Sequence, residues 1–158
     1  MLDILVLGLG NELLADDAVG VEAVRHLKKD LDGRVSLVDS PVSGMALLDL
    51  LAGYEKAIII DAVQTGCHPV GTVLELTSDD IGSVIAPSPH YSGLPEVTAV
   101  AKRLGIDFPS TIKIFAVEVA DTCTLGGEIS TSVKLAIKDV ASRITKQVAN
   151  WRRELCHA

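Results

Sequence analysis

The turn after the first apolar run constrains this chain more than any other feature. In Gly8-Leu9-Gly10-Asn11-Glu12-Leu13-Leu14-Ala15-Asp16-Asp17, a strand passes into a helix through two glycines and a pair of carboxylates. Residues Ile4 to Leu7 are continuously apolar, the mark of a parallel strand covered on both faces. Gly8 and Gly10 permit a tight exit at the strand's C-terminal end, where open α/β sheets place their ligand sites. A dinucleotide fingerprint needs a third glycine where this chain has Leu13, and no Lys-Ser/Thr follows to make a phosphate loop. The turn therefore delivers acidic side chains instead of a phosphate cradle, which favours a metal ion over a nucleotide.

Strands and helices alternate along the rest of the chain. Val21, Val24, Leu27 and Leu31 recur at helical spacing with Arg25, His26, Lys28 and Lys29 between them, predicting an amphipathic helix that ends near Gly33. Val35 to Val38 form a second strand closed by Asp39. Ser43 is a candidate cap for a short helix through Met45, Leu47, Leu48 and Leu51, stopped by Gly53. Ala57 to Ile60 form a third strand ending in Asp61, and its uninterrupted apolar run places it centrally in the sheet. Gly66-Cys67-His68-Pro69 is a turn, and Gly71 to Thr77 alternates as a fourth strand. An ordered Ser/Pro loop, 86–93, leads into a helix carrying Leu94, Val97, Ala101 and Leu104. Ile112 to Val119 is the last strand. Val133, Ile137, Val140, Ile144, Val148, Trp151 and Leu155 then stripe a terminal helix that Ser130 or Thr131 can cap. The expected fold is a three-layer α/β/α sandwich of about five mostly parallel strands, with one antiparallel edge strand after Asp61 and helices on both faces.

Length and charge exclude several classes of function. A chain of 158 residues with 48% apolar content reads as a single domain, 1–158, able to bury a full core. A formal charge of -7 disfavours nucleic acid and anionic membranes as partners. No apolar stretch reaches the about 20 residues of a membrane span, and Met1-Leu2-Asp3 runs into the first strand without the features of a signal peptide. Cys67, Cys123 and Cys156 form no paired motif, as expected of a reduced cytoplasmic protein. A monomer is the default expectation.

Parallel strands would bring Asp17, Asp39 and Asp61 to one edge of the sheet, with His90 on a loop able to fold over it. Carboxylates with one imidazole suit a divalent transition metal at an open site better than calcium or magnesium. Each residue also has a plain structural reading. Asp17 can cap a helix, Asp39 before Ser40-Pro41 can make a turn, and His90 can hydrogen-bond within its loop. Asp61 is harder to explain that way, because a carboxylate following buried strand residues is costly unless paired or ligated. Asp16, Glu12 and His68 read as solvated turn residues, and His26 as part of a polar helix face.

The opening motif through Asp17, with Gly20 beyond it, resembles that of the hydrogenase maturation endopeptidases. The resemblance continues through Asp39, Ser43-Gly44-Met45, Ile60-Asp61-Ala62 and Ser88-Pro89-His90, in order and over nearly the whole chain. Ala18 stands where members of that family often carry glycine, and the loop 118–122 lacks their Pro-Glu. The resemblance implies a metal-dependent endopeptidase that trims the C-terminal extension of a nickel-iron hydrogenase large-subunit precursor. It places the family's metal ligands on Asp17, Asp61 and His90, the residues the strand-end argument favours. The metal so implied is nickel brought by the substrate, though the resting enzyme could carry another divalent ion. It would polarise the scissile carbonyl or lower the pKa of a water. Asn11 is a candidate for orienting the peptide or stabilising an oxyanion, with a turn-forming role as its alternative, and Asp39 is a second substrate or turn candidate. Two other functions fit parts of the pattern: a noncatalytic nickel-site chaperone for the same precursor, and a Rossmann-type small-molecule-binding module.

Overall fold

A computed structural model describes residues 3–31, 33–81 and 88–157. The readings that involve Met1, Leu2, Ala86 and Pro87, and the Leu155 side chain at the end of the terminal stripe, lie outside them. Five strands form one sheet: β1 (Ile4–Leu9), β2 (Val35–Ser40), β3 (Lys56–Val63), β4 (Val73–Thr77) and β5 (Thr111–Glu118). Their order is β2-β1-β3-β5-β4, parallel except for the antiparallel β4–β5 pair at one edge. Among the described residues four α-helices accompany them: α1 (Val19–Leu27), α2 (Leu47–Leu51), α3 (Leu94–Leu104) and α4 (Thr131–Cys156).

Strand alternation sorts the apolar side chains into two layers. Ile4, Val6, Ile58 and Ile60 face α1 and α4, packing against Val24, Leu27, Val140 and Ile144. Leu5, Leu7, Leu9, Ile59 and Val63 face α2 and α3, meeting Leu47, Leu51, Leu94 and Val97. The expected sandwich is therefore the observed one, with α1 and α4 on one face and α2 and α3 on the other. Each fully buried Leu, Ile or Val contributes about 1.5–3 kcal/mol through removal from water. Among the described residues, no helix is long and apolar enough to cross a membrane.

Several local expectations are corrected. Gly8 lies inside β1, paired with Asp39 and Ile60, so the chain leaves the sheet at Gly10. α1 stops at Leu27, although Leu31 still packs against the core. Ser43 precedes a 3-10 turn, Gly44–Ala46, but makes no side-chain cap, and Met45 is 49% exposed. Ser130 precedes α4, again with no side-chain cap, because its hydroxyl points toward Asp16 Oδ2.

Candidate metal centre

Three elements meet at the C-terminal edge of the sheet. β3 continues through Asp61 to Val63, so Asp61 is a strand residue paired with Ala116 and not a strand terminus. It lies between Ile60 and Ala62, which face α1 and α4, so the pleat turns its side chain toward α3. There the segment Ser88-Pro89-His90 arrives just before α3. Asp17 comes from the opposite side, in a 3-10 turn, Ala15–Ala18, that leads from β1 into α1. Asp17, Asp61 and His90 each offer a ligand atom, and these atoms lie within 4.8 Å of one another.

Burial makes this grouping expensive unless something compensates it. Asp61 is fully buried and Asp17 is 8% exposed. Among the described residues, His90 is the only cationic partner within ion-pair distance of either, its Nδ1 lying 3.1 Å from Asp61 Oδ2. Ser88, itself buried, donates its hydroxyl to the same Asp61 oxygen, while Ala62 N donates to Oδ1 at 2.8 Å. Asn11 N donates to Asp17 Oδ2 at 2.8 Å, so Asn11 orients a site carboxylate through its backbone. Its side chain accepts from Leu13 N at 3.0 Å, the turn-forming role.

Burial pushes the Asp61 carboxyl above the usual carboxylate range, with His90, Ser88 and Ala62 N opposing that rise. His90 is raised above the ordinary imidazole value, first by its hydrogen bond to Asp61 and also by the charges of Asp61 and Asp17. Two poorly solvated carboxylates beside one imidazole make an electronegative site that a divalent cation would neutralise. Three protein donors of mixed oxygen and nitrogen type, opening onto solvent, fit a transition ion with coordination positions left for substrate.

The site opens into a groove of about 420 Å³ lined by Leu14, Asp17, Gln64, Ser88, His90 and Thr122, among others. Ser88, His90 and Asp61 have the residue types of a serine triad without its geometry. Asp61 Oδ2 bonds directly to both Ser88 and His90, and Ser88 lies 3.2 Å from Nδ1, the same ring nitrogen that faces Asp61. The Ser88 hydroxyl, 3% exposed, is donated to Asp61 Oδ2 and has no imidazole placed as its general base. Cys67 and Cys123 are exposed free thiols outside the metal grouping.

Asp39 does not join the other two carboxylates. It stays exposed on β2, lies 3.8 Å from Lys28 and lines a separate groove with Asn11. Asp16, expected in solvent, is 1% exposed and accepts from Ser130 N at 2.8 Å. Glu118 is likewise buried, receiving Thr65 N, Thr65 Oγ1 and Gly66 N at 2.8–2.9 Å. The one sequence signal for Ser88 was its place two residues before His90.

A family model described as hydrogenase maturation protease matches residues 21–147. A hydrogenase expression/formation protein, HupD, from Thiocapsa roseopersicina is 32% identical over 154 residues, covering 94% of this chain and 69% of that protein. The hydrogenase 2 maturation protease of Escherichia coli is 34% identical over 118 residues, 72% of this chain and 71% of its own. The solved structure of the hydrogenase maturating endopeptidase HybD from E. coli superposes with a TM-score of 0.80 at 27% identity, covering 94% of this chain and 93% of that one. A HybD maturation protease from Thermococcus kodakarensis gives a TM-score of 0.71 at 26% identity, over 94% and 99% of the two chains.

Proposed function

The chain belongs to the hydrogenase maturation protease family, and from that membership we propose that it cuts the C-terminal extension from a nickel-loaded hydrogenase large-subunit precursor, using Asp17, Asp61 and His90 to hold the substrate's nickel. The supporting observation is the grouping of two buried carboxylates and one imidazole, short of a cation, in an open groove of about 420 Å³. In this reading nickel is part of the substrate, and bound there it supplies Lewis acidity toward a peptide carbonyl.

The protein's own residues do the positioning. Asn11 N fixes the Asp17 carboxylate, while Ser88 and Ala62 N fix Asp61 in one orientation. Asp61 and Ser88 hold the His90 ring. Leu14, Pro89 and Thr122 line the surrounding groove walls. We also propose that the enzyme works in the cytoplasm as a monomer meeting its precursor transiently.

Incubating the protein with nickel-loaded and nickel-free precursor, and recording the intact mass of each, tests this reading. Loss of a C-terminal peptide from the loaded form alone is the expected result. Equal shortening of both forms would overturn the nickel requirement, and binding without shortening would favour the chaperone.

Ser88 supplies a second prediction. Ser88→Ala removes a donor to a buried carboxylate that is also a proposed ligand, and loss of such a supporting partner costs about 10–100-fold in metal affinity. Calorimetric titration with Ni²⁺ should show weakening of that order. Unchanged affinity would mean that Ser88 only fills space.

A further inference from the structure

The connection from β5 to α4 is held more firmly than its irregular backbone suggests. Leu14 and Leu125 form an isolated antiparallel bridge. Gly126 N donates to Leu13 O at 2.8 Å, and Asp16 N to Asp121 O at 2.9 Å. The buried Asp16 carboxylate accepts from Ser130 N at 2.8 Å and lies 3.4 Å from Ala120 N and Ser130 Oγ. Asp121 accepts in turn from Cys123 N and Thr124 N, both at 2.9 Å. Ala15, with a φ of 40°, is the one non-glycine residue in the left-handed region among those described, and a Cβ on Gly127 would stand 3.0 Å from its own. Such backbone strain persists only where surrounding contacts enforce it.

This framework leaves two leucines in water: Leu13 is 60% exposed and Leu125 is 75% exposed. Residues opposite each other in an antiparallel bridge project from the same face, so Leu125 stands beside Leu14, which lines the groove of Asp17 and His90. Leu13 points the other way and lines a second groove, of about 210 Å³, with Asn11, Val21, Asp39 and Pro41. The Leu13–Leu14 segment is thus a ridge between two grooves, and one of those grooves contains the metal centre.

We propose that Leu13, Leu14 and Leu125 form the docking ridge for the precursor, packing against apolar side chains in the extended polypeptide that flanks the scissile bond. The inference rests on the proposed function, since the ridge is continuous with the metal-centre groove. A chain whose scissile bond lies over Asp17 and His90 occupies the groove that Leu14 lines, and Leu125 stands beside Leu14. Preformed apolar side chains on a rigid support lose little freedom when covered, which suits them to transient recognition.

Steady-state cleavage of nickel-loaded precursor by wild type, Leu125→Asp, Leu125→Met and Leu104→Asp tests the ridge. Leu104 is a matched control, 66% exposed and at the far end of α3. Because Leu125 is so exposed, its replacement should not disturb folding, and Leu125→Met should restore binding. The expected result is a KM raised about tenfold for Leu125→Asp, with kcat within about twofold of wild type. Leu104→Asp should match wild type. Equal KM values for Leu125→Asp and Leu104→Asp, or a fall confined to kcat, would overturn the ridge while leaving the cleavage reading intact. Failure of wild type to shorten the precursor would instead overturn the proposed function on which the ridge depends.

Discussion

Asp61→Asn is expected to abolish precursor cleavage while leaving the fold at least as stable as wild type. The replacement keeps the size of the side chain and most of its bonding. Its carbonyl can still accept from Ala62 N, and its amide can donate to Ser88 Oγ or His90 Nδ1, which now face the carboxylate. What disappears is a charge at a fully buried position, the most costly group in the site when no cation is present. A gain of about 1 kcal/mol would raise the melting midpoint by roughly 2–4 °C. Cleavage should fall by more than about a hundredfold, because loss of even a supporting partner costs 10–100-fold at such centres. Intact-mass kinetics and calorimetry on the same preparation check both halves. Wild-type cleavage, or a large drop in midpoint, would contradict the assignment.

The same substitution should flatten the pH dependence of stability. Asp61 and His90 both titrate higher in the folded protein than their ordinary values, so the native state retains protons that the unfolded chain has released. Stability then declines as pH rises, first from the ordinary carboxylate pKa up to that of folded Asp61. The His90 contribution is complete below the ordinary imidazole pKa and disappears as pH climbs through the raised one. Asp61→Asn deletes the first part outright and, by removing the main cause of the His90 rise, most of the second. Denaturant midpoints of metal-free protein across this range, compared between the two forms, report the difference.

Asp61 was legible in the sequence because a carboxylate directly after an apolar strand run has few structural uses, although the strand in fact continues through it to Val63. Asp39 illustrates the limit of reasoning from strand ends. β1 separates its strand from β3, so the two acids start two strand spacings apart, about 10 Å, and Asp39 remains beside Lys28. Asp16 and Ser130 were misread for a different reason. Each is satisfied by the other across 114 positions of sequence, a pairing that local patterns of capping and turn formation do not encode. The helices flanking the sheet were readable from periodicity, whereas the backbone bonds that shape the 13–16 and 120–130 segments depend on tertiary approach.

Gly8 was legible as the marker of a special backbone, but its main role, shared with Gly20, is close packing. A Cβ on Gly20 would sit 2.4 Å from Leu9 O and 2.5 Å from Ile60 O, and one on Gly8 only 2.2 Å from Gly20 O. Helix α1 therefore lies backbone to backbone across the ends of β1 and β3. Intrinsic propensity would favour alanine over glycine in a helix by about 1 kcal/mol. At Gly20 the clash outweighs that preference, because the obstructing atoms are main-chain carbonyls on two strands and cannot rotate away. Gly20→Ala must lift α1 off the sheet, loosening the fully buried Val19, Val24 and Leu27 and moving Asp17, which sits in the turn immediately before the helix. A loss of about 3 kcal/mol is expected, with a midpoint lower by roughly 10 °C. Activity measured well below that midpoint should fall further than the unfolded fraction accounts for, since a shift of about 1 Å in a reacting group can cost a hundredfold. Gly33→Ala is the companion control: nothing lies within 4 Å of its Cβ position and its φ is unstrained. If Gly20→Ala unfolded in urea at the same midpoint as Gly33→Ala, the close approach of α1 to the sheet would not be what positions Asp17.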